Sequence, residues 1–198
     1  MKLAMHPKIT ITPEMLEEAQ RLIPQTRVNR TVASPVDTLA GHLGEFAFAA
    51  YFFDDWRRHN VGQNKGDTDF GDVEIKTSAY PFTEKLHLLV REDYAKKRKP
   101  AAYVQVIIDL PSPQAAEILP GTTAILCGFA DAAAVDAAPK KDFGSKFGSD
   151  GGYLCHFIRI DQLRPMAELA AFLKTYHLQS TQKSTIQRIR NAFPANHR

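Results

Sequence analysis

Residues 65–77 read KGDTDFGDVEIKT, and the way this stretch bends decides the rest of the chain. Gly71-Asp72 between Phe70 and Val73 predicts a two-residue hairpin turn of type II′, in which glycine takes the first central position. That register pairs Phe70 with Val73, Asp69 with Glu74, and Asp67 with Lys76. Side chains in a strand alternate with a period of two. Asp67, Asp69, Glu74 and Lys76 then share one face, and Val73, Ile75 and Thr77 point to the other. Directly opposed residues carry Cβ atoms ~4.5–5.5 Å apart, and like charges there are destabilising. Either of two things would offset the Asp69–Glu74 repulsion. One carboxyl could hold its proton, its pKa raised by the other. Alternatively a divalent cation could lie between them. Hard oxygen ligands, few in number, suit Mg²⁺, which keeps several waters and binds phosphate oxygens. Lys76 adds a positive point charge of the kind that stabilises charge developing on a phosphate. Asp67 reads as a partner for Lys76.

Upstream, "DTLAGHLGEFAFAAYFFDDW" predicts a helix, with Leu39, Leu43, Phe46, Ala47, Ala50 and Phe53 at helical spacing. Gly41 and Gly44 each cost roughly 1 kcal/mol of helix propensity. A helix that accepts this is expected to bring its backbone close to another element. Glu45 sits between Gly44 and Phe46 in this apolar setting. An ionised carboxylate there is costly to bury unless it is paired or bound to metal. Glu45 is therefore expected to point at the same cation. His42 lies three residues earlier on the same face, and is read chiefly as a histidine satisfied within the core.

An earlier helix is expected over "TPEMLEEAQRLI" (12–23), with Thr12 as cap, Pro13 at the first position, and Met15, Leu16, Ala19, Leu22 and Ile23 as its apolar stripe. "VEIKTS", "KLHLLV", "AYVQVIIDL", "TAILCGFA" and "YLCHFIRI" read as strands, the third and fourth as runs buried in the middle of a sheet. "REDYAKKRK" and "DAAAVDAA" read as short helices, "KKDFGSKFGSDGG" as a basic loop, and "DQLRPMAELAAFLKTYH" as a closing helix. Gln105 interrupts an apolar strand on the face of Tyr103 and Ile107. It reads as a satisfied core amide or as a group that positions Lys76. The order of elements predicts an α/β fold with a central mixed β-sheet flanked by helices. Residues 1–178 are expected to form a single domain, of which 1–36 are the N-terminal helix and connection. Residues 179–198 are expected to be a basic, flexible tail.

The chain has 198 residues, 44% hydrophobic and 24% charged, as in an ordinary globular protein. No run approaches the ~20 apolar residues that span a bilayer. No signal peptide is expected at "MKLAMHPKIT". The two cysteines, Cys127 and Cys155, lie in apolar strands without a C-x-x-C pair, so they read as buried thiols in a reducing, cytoplasmic setting. Of the net charge of +3, residues 179–198 contribute +4 through Lys183, Arg188, Arg190 and Arg198, which leaves −1 for the body. Basicity alone therefore says little about partners. No phosphate-binding loop and no serine- or cysteine-type nucleophile–base arrangement is present.

"GEFAFA" followed by "DTDFGDVEIKTS" resembles the PD-(D/E)XK nuclease superfamily. The resemblance covers roughly Asp37 to Ile108, and more loosely the strands up to Ile160. It implies a restriction-endonuclease-like fold and Mg²⁺-dependent hydrolysis of phosphodiester bonds, with Mn²⁺ as a substitute. Glu45 matches the helix acid, Asp69 the first acidic position, and Glu74 and Lys76 the E-x-K. Thr68 stands where the name-giving proline would be. On this resemblance Asp69 and Glu74 hold the metal with the main-chain carbonyl of Ile75, and Glu45 binds through water or holds a second ion. Lys76 orients or helps deprotonate the attacking water, or stabilises the phosphorane-like charge. The implied partner is nucleic acid, DNA foremost, with no membrane, and a homodimer would fit cleavage of paired strands. Lys96, Lys97, Arg98, Lys140, Lys141, Lys183, Arg188 and Arg190 are the candidate phosphate contacts. The same fold also occurs without cleavage. A catalytically inactive module that binds nucleic acid or a protein partner is therefore the alternative.

Overall fold

A computed structural model describes residues 6–26, 35–62, 68–92, 99–143 and 154–192, the last eleven by backbone alone. The chain falls into two compact units, Met1–Met166 and Ala167–Arg198. In the first unit, α1 spans Pro13–Thr26 and α2 spans Pro35–Phe53. The strands are β1 (Lys8–Thr10), β2 (Val73–Tyr80), β3 (His87–Arg91), β4 (Ala102–Asp109), β5 (Thr123–Asp131), β6 (Lys140–Asp142) and β7 (Leu154–Arg159). A short helix α3, Ala132–Ala137, follows β5.

The fold is α/β with a mixed sheet, but the strands divide between two sheets, whereas the sequence predicts a single central one. Strands β1-β5-β4-β2 form the first sheet, with β2 parallel to β4 and the other pairs antiparallel. Strands β3-β7-β6 form the second, which is antiparallel throughout. The difference is written in burial. β4 is buried at every position but its last, so both its faces are covered. β3 alternates buried and half-buried, so one face is covered and the other meets solvent. Leu88 and Val90 of β3 pack on Tyr103 of β4 and Ala130 of β5, which sets the second sheet over the first. Helix α2 lies against β2, β4 and β5.

Local chemistry fixes the helices. Thr12 caps α1 by accepting from the Met15 N–H at 3.3 Å. Met15, Ala19 and Leu22 are its buried stripe. In α2 the residues Leu43, Phe46, Ala47, Phe48 and Ala49 are all essentially inaccessible, so this helix is buried nearly all round. His42 is 5% exposed and hydrogen-bonds the Ala19 carbonyl of α1 at 3.0 Å. It is a core histidine joining the two helices.

The two helical glycines differ in cause. A Cβ at Gly44 would meet Thr77 of β2, at 2.9 Å from its Cβ and Cγ2, whereas a Cβ at Gly41 would meet nothing within 4 Å. Close approach to β2 explains Gly44 and not Gly41. Gly44→Ala is expected to cost about 2 kcal/mol or more by wedging α2 off the strand. Gly41→Ala is expected to stabilise by about 0.5–1 kcal/mol. Urea denaturation of the two variants measures the contrast, and equal effects would contradict the α2–β2 contact.

Three further departures from the sequence reading concern its polar stretches. The basic loop after α3 begins as strand β6, paired Lys140↔His156 to Asp142↔Leu154. Strand β1 precedes α1. The closing helix starts later, because Ile160–Gln162 and Met166–Glu168 are 3₁₀ turns, and it runs as α4 from Leu169 to Ala192, through much of the tail expected to be flexible. Among the described residues no helix is long and apolar enough to cross a membrane.

Candidate metal and phosphate site

The turn forms with the Phe70 and Val73 N–H groups each donating to the other's carbonyl, at 3.0 and 2.9 Å. Gly71 has φ +58°, and Asp72 is not in the left-handed region, the sign pattern of a type II′ turn. The pairing does not run on. Phe70↔Val73 is an isolated bridge. Thr68 Oγ1 donates to the Gly71 carbonyl, and Asp69 uses its side chain where a ladder would use backbone. Its Oδ2 accepts from the Ile75 N–H at 2.7 Å. Asp69 is thus tied to β2 through its side chain, and does not form a backbone pair with Glu74. Asp67 lies outside the described residues.

Aromatic packing brings this turn to α2. Phe70 is 8% exposed, and its ring lies 4.8 Å from that of Phe48 and 5.9 Å from that of Phe53, centroid to centroid. Phe48 is one helical turn beyond Glu45. Asn60 adds a bond from Nδ2 to the Asp69 carbonyl at 2.9 Å. Neither Asn60 nor this aromatic clamp stands out in the sequence, since both act only once the chain has folded. A phenylalanine beside the acidic residue of a tight turn was the one signal available.

Along β2, Val73 and Ile75 are buried, at 3% and 7% exposed, while Glu74 and Lys76 lie half-buried on the opposite face. Lys76 Nζ donates to Glu74 Oε1 at 2.7 Å. In the parallel register Glu74 lies beside Tyr103 and Lys76 beside Gln105. Gln105 is 1% exposed, and its Nε2 donates to the Val106 carbonyl at 2.9 Å, at the bulge where the β4–β5 register shifts. A Lys76 partnership for Gln105 therefore rests on register alone.

The electrostatics bind the three acids together. Burial raises the Glu45 carboxyl, and the negative charges of Asp69 and Glu74 raise it further, to about 9. Asp69 is pushed up to about 7 by burial first and then by Glu74, against the lowering effects of the Ile75 N–H and the Lys76 ammonium. Burial, then Glu74 and Asp136, raise the Tyr103 hydroxyl to about 12. Glu45 of α2 and Asp69 and Glu74 of the turn and strand are thus within each other's field. Lys76 is the cation among them.

Among the described residues no three His, Cys, Asp or Glu side chains form a ready-made metal cage. That donor set does not suit structural Zn²⁺, which wants four protein ligands. It does suit Mg²⁺, which is held by one or two carboxylates and keeps its waters. Once ionised, Glu45, Asp69 and Glu74 together with the Lys76 ammonium would sum to a charge of −2, which a dication would balance.

The candidate phosphate contacts fall on different elements of the chain. Lys140 Nζ is held by Glu92 at 2.9 Å, while Lys141 is exposed with its Nζ 5.8 Å from the Phe143 ring centroid. Lys183, Arg188 and Arg190 lie on α4, in the second unit. Lys96, Lys97 and Arg98 lie outside the described residues. Cys127 and Cys155 are buried thiols with no disulfide between them.

Asp69 has separable jobs. Asp69→Asn keeps an acceptor for the Ile75 N–H and removes the charge, whereas Asp69→Ala orphans that N–H. The alanine variant is expected to lose about 1–2 kcal/mol of stability, and the asparagine variant little. Chemical denaturation checks this. Equal losses would mean that the bond does not hold the turn.

Compared with family models, with curated proteins and with solved structures, the chain shows no match, so the reading of the site rests on its own geometry.

Proposed function

We propose that this chain is a metal-dependent nuclease of the PD-(D/E)XK type, with a restriction-endonuclease-like fold, that hydrolyses phosphodiester bonds in DNA. The observation that carries it is a half-buried helix carboxylate, Glu45, in the electrostatic field of Asp69 and Glu74, with Lys76 bonded to Glu74. A protein has no stability reason to gather acids that raise one another's pKa.

Asp69 and Glu74 would hold Mg²⁺ or Mn²⁺ together with the Ile75 carbonyl, and Glu45 would act through water or a second ion. When bound, the metal would polarise a phosphoryl oxygen and supply a water of lowered pKa. The protein's own groups do the rest. Lys76 places an ammonium beside the reacting phosphate, where it stabilises charge gained in the transition state or orients the attacking water. The Ile75 N–H and Asn60 hold Asp69 in place, and the Phe70 clamp keeps the turn against α2.

The experiment is incubation of the purified protein with plasmid, linear duplex and single-stranded DNA, and with RNA, in Mg²⁺ and in Mn²⁺. Metal-dependent nicking or degradation of DNA is the expected result. The Lys76–Glu74 pair, which occupies the Glu74 carboxylate, favours one second reading, an idle module of the same fold that binds nucleic acid or a protein partner. Binding of DNA with no cleavage in either metal would give that reading.

A further inference from the structure

The solvent face of the β3-β7-β6 sheet is built differently from its inner face. By alternation, Leu88 and Val90 point inward, and His87, Leu89 and Arg91 outward. Their cross-strand partners Arg159, Phe157 and Cys155 share the outer face, and Lys141 lies across from Cys155. Phe143, just past the end of β6, is 40% exposed and folds back toward this face. The rings of His87, Phe157 and Phe143 form a triangle, with centroids 5.4, 5.7 and 6.3 Å apart and the planes steeply inclined. Lys141 flanks it at Phe143 and Arg159 at His87.

We propose that this aromatic triangle is a stacking platform for unpaired bases, so that the polynucleotide bound by the protein carries a single-stranded segment. The proposal rests on the nuclease reading for its polymer and adds the strand form. Two arguments select nucleic acid over a plain apolar partner. First, the charge around the rings is complementary to a phosphate chain. Arg91, Lys141 and Arg159 stand on this face; Asp161 pairs with Arg159 through two hydrogen bonds, and Asp142 falls on the other side of the strand alternation. The His87 imidazole reports the same positive field, since burial, then Arg159 and Lys141, lower its pKa against the opposing effect of Asp161. Second, the exposed Phe143 ring, buttressed by the inclined rings of His87 and Phe157 and bordered by Lys141, offers a surface on which an unpaired base can stack, whereas duplex bases are already stacked.

The test is fluorescence anisotropy with a labelled oligothymidylate and a hairpin duplex of equal length, using the full chain in a metal chelator so that no cleavage intervenes. Phe143→Ala is expected to weaken oligothymidylate binding about tenfold and to leave duplex binding nearly unchanged. Phe143→Trp is expected to restore it. Lys141→Gln is expected to weaken both ligands and to flatten the salt dependence. Phe143→Ala binding oligothymidylate like the wild type would overturn the platform. So would a shift from dimer to monomer in that variant with binding unchanged, which would give the face to a second copy of the chain. Cleavage of duplex DNA with a neutral Phe143 would leave the nuclease reading intact. Phe143-dependent binding without cleavage in any metal would defeat that reading and keep the platform.

Discussion

Lys76→Ala and Glu74→Ala are each expected to lower metal-supported DNA cleavage by about 10³-fold, with the fold retained. The magnitude is that of removing a preorganised charge from the place where transition-state charge develops, or of weakening the metal that generates the nucleophile. Retention of the fold follows from exposure. The two side chains are 27% and 24% exposed, and a half-exposed ion pair contributes about 1 kcal/mol or less. Conservative variants separate the roles. Glu74→Gln keeps the shape and an acceptor for Lys76 while removing a charge, and is expected to be as inactive as alanine. Lys76→Arg keeps the charge but replaces a point donor by a planar fork. Partial activity would assign Lys76 to charge stabilisation, and none would favour positioning of the attacking water. Cleavage that survives both alanine substitutions would defeat the assignment, whatever the fold.

How much of this could be read in the chain depends on how far each feature is set by near neighbours. The buried runs of β4 and β5 and the apolar faces of α1 and α2 announce themselves, because continuous or periodic burial is a property of consecutive residues. The Phe70–Val73 turn is equally local, fixed by a glycine that accepts φ +58°. The two short strands are invisible. Lys140-Lys141-Asp142 is fully exposed and carries no apolar alternation, so only its partner β7 makes it a strand. The second sheet is hidden for a related reason, since alternation in "HLLVR" reports one covered face but not which strands lie beside it. At the site, Glu45 is conspicuous as an acid in the middle of a largely buried helix, whose other acid, Asp37, stands in the first turn. The mode of Asp69 is not. A register argument places it in a backbone pair, while the folded chain spends its carboxylate on the Ile75 N–H. Such local side-chain bonds compete with ladder bonds and are decided by geometry that a spacing rule does not contain.

The metal-free protein is expected to lose stability as the pH rises from 5 to 9, and Glu45→Gln to abolish most of that loss. The sign follows from the direction of the shifts. Glu45 binds its proton more tightly in the folded state, where its pKa is about 9, than in the unfolded chain, where it is 4.5. Asp69 behaves likewise, at about 7 against 3.8. A group with a raised folded pKa contributes stability that is fully present below the unfolded value. That stability drains away as the pH climbs toward the folded value. Above about pH 5 the folded chain must either keep a proton the solvent would take or bear the repulsion of three half-buried carboxylates. Glutamine has neither burden, so Glu45→Gln is expected to gain on the order of 5 kcal/mol at pH 8.5, or about 10–20 °C in melting temperature, and about 1 kcal/mol or less at pH 5. A dication relieves the same repulsion. Mn²⁺ or Mg²⁺ is therefore expected to stabilise the wild type far more at pH 8.5 than at pH 5, with protons released on binding, and to stabilise Glu45→Gln less. Urea titrations at the two pH values, with chelator and with metal, measure all four quantities. A wild type whose stability is flat with pH, or a Glu45→Gln variant no more stable than it at pH 8.5, would mean that the three carboxylates do not share one field. The helix acid would then have no part in holding a metal.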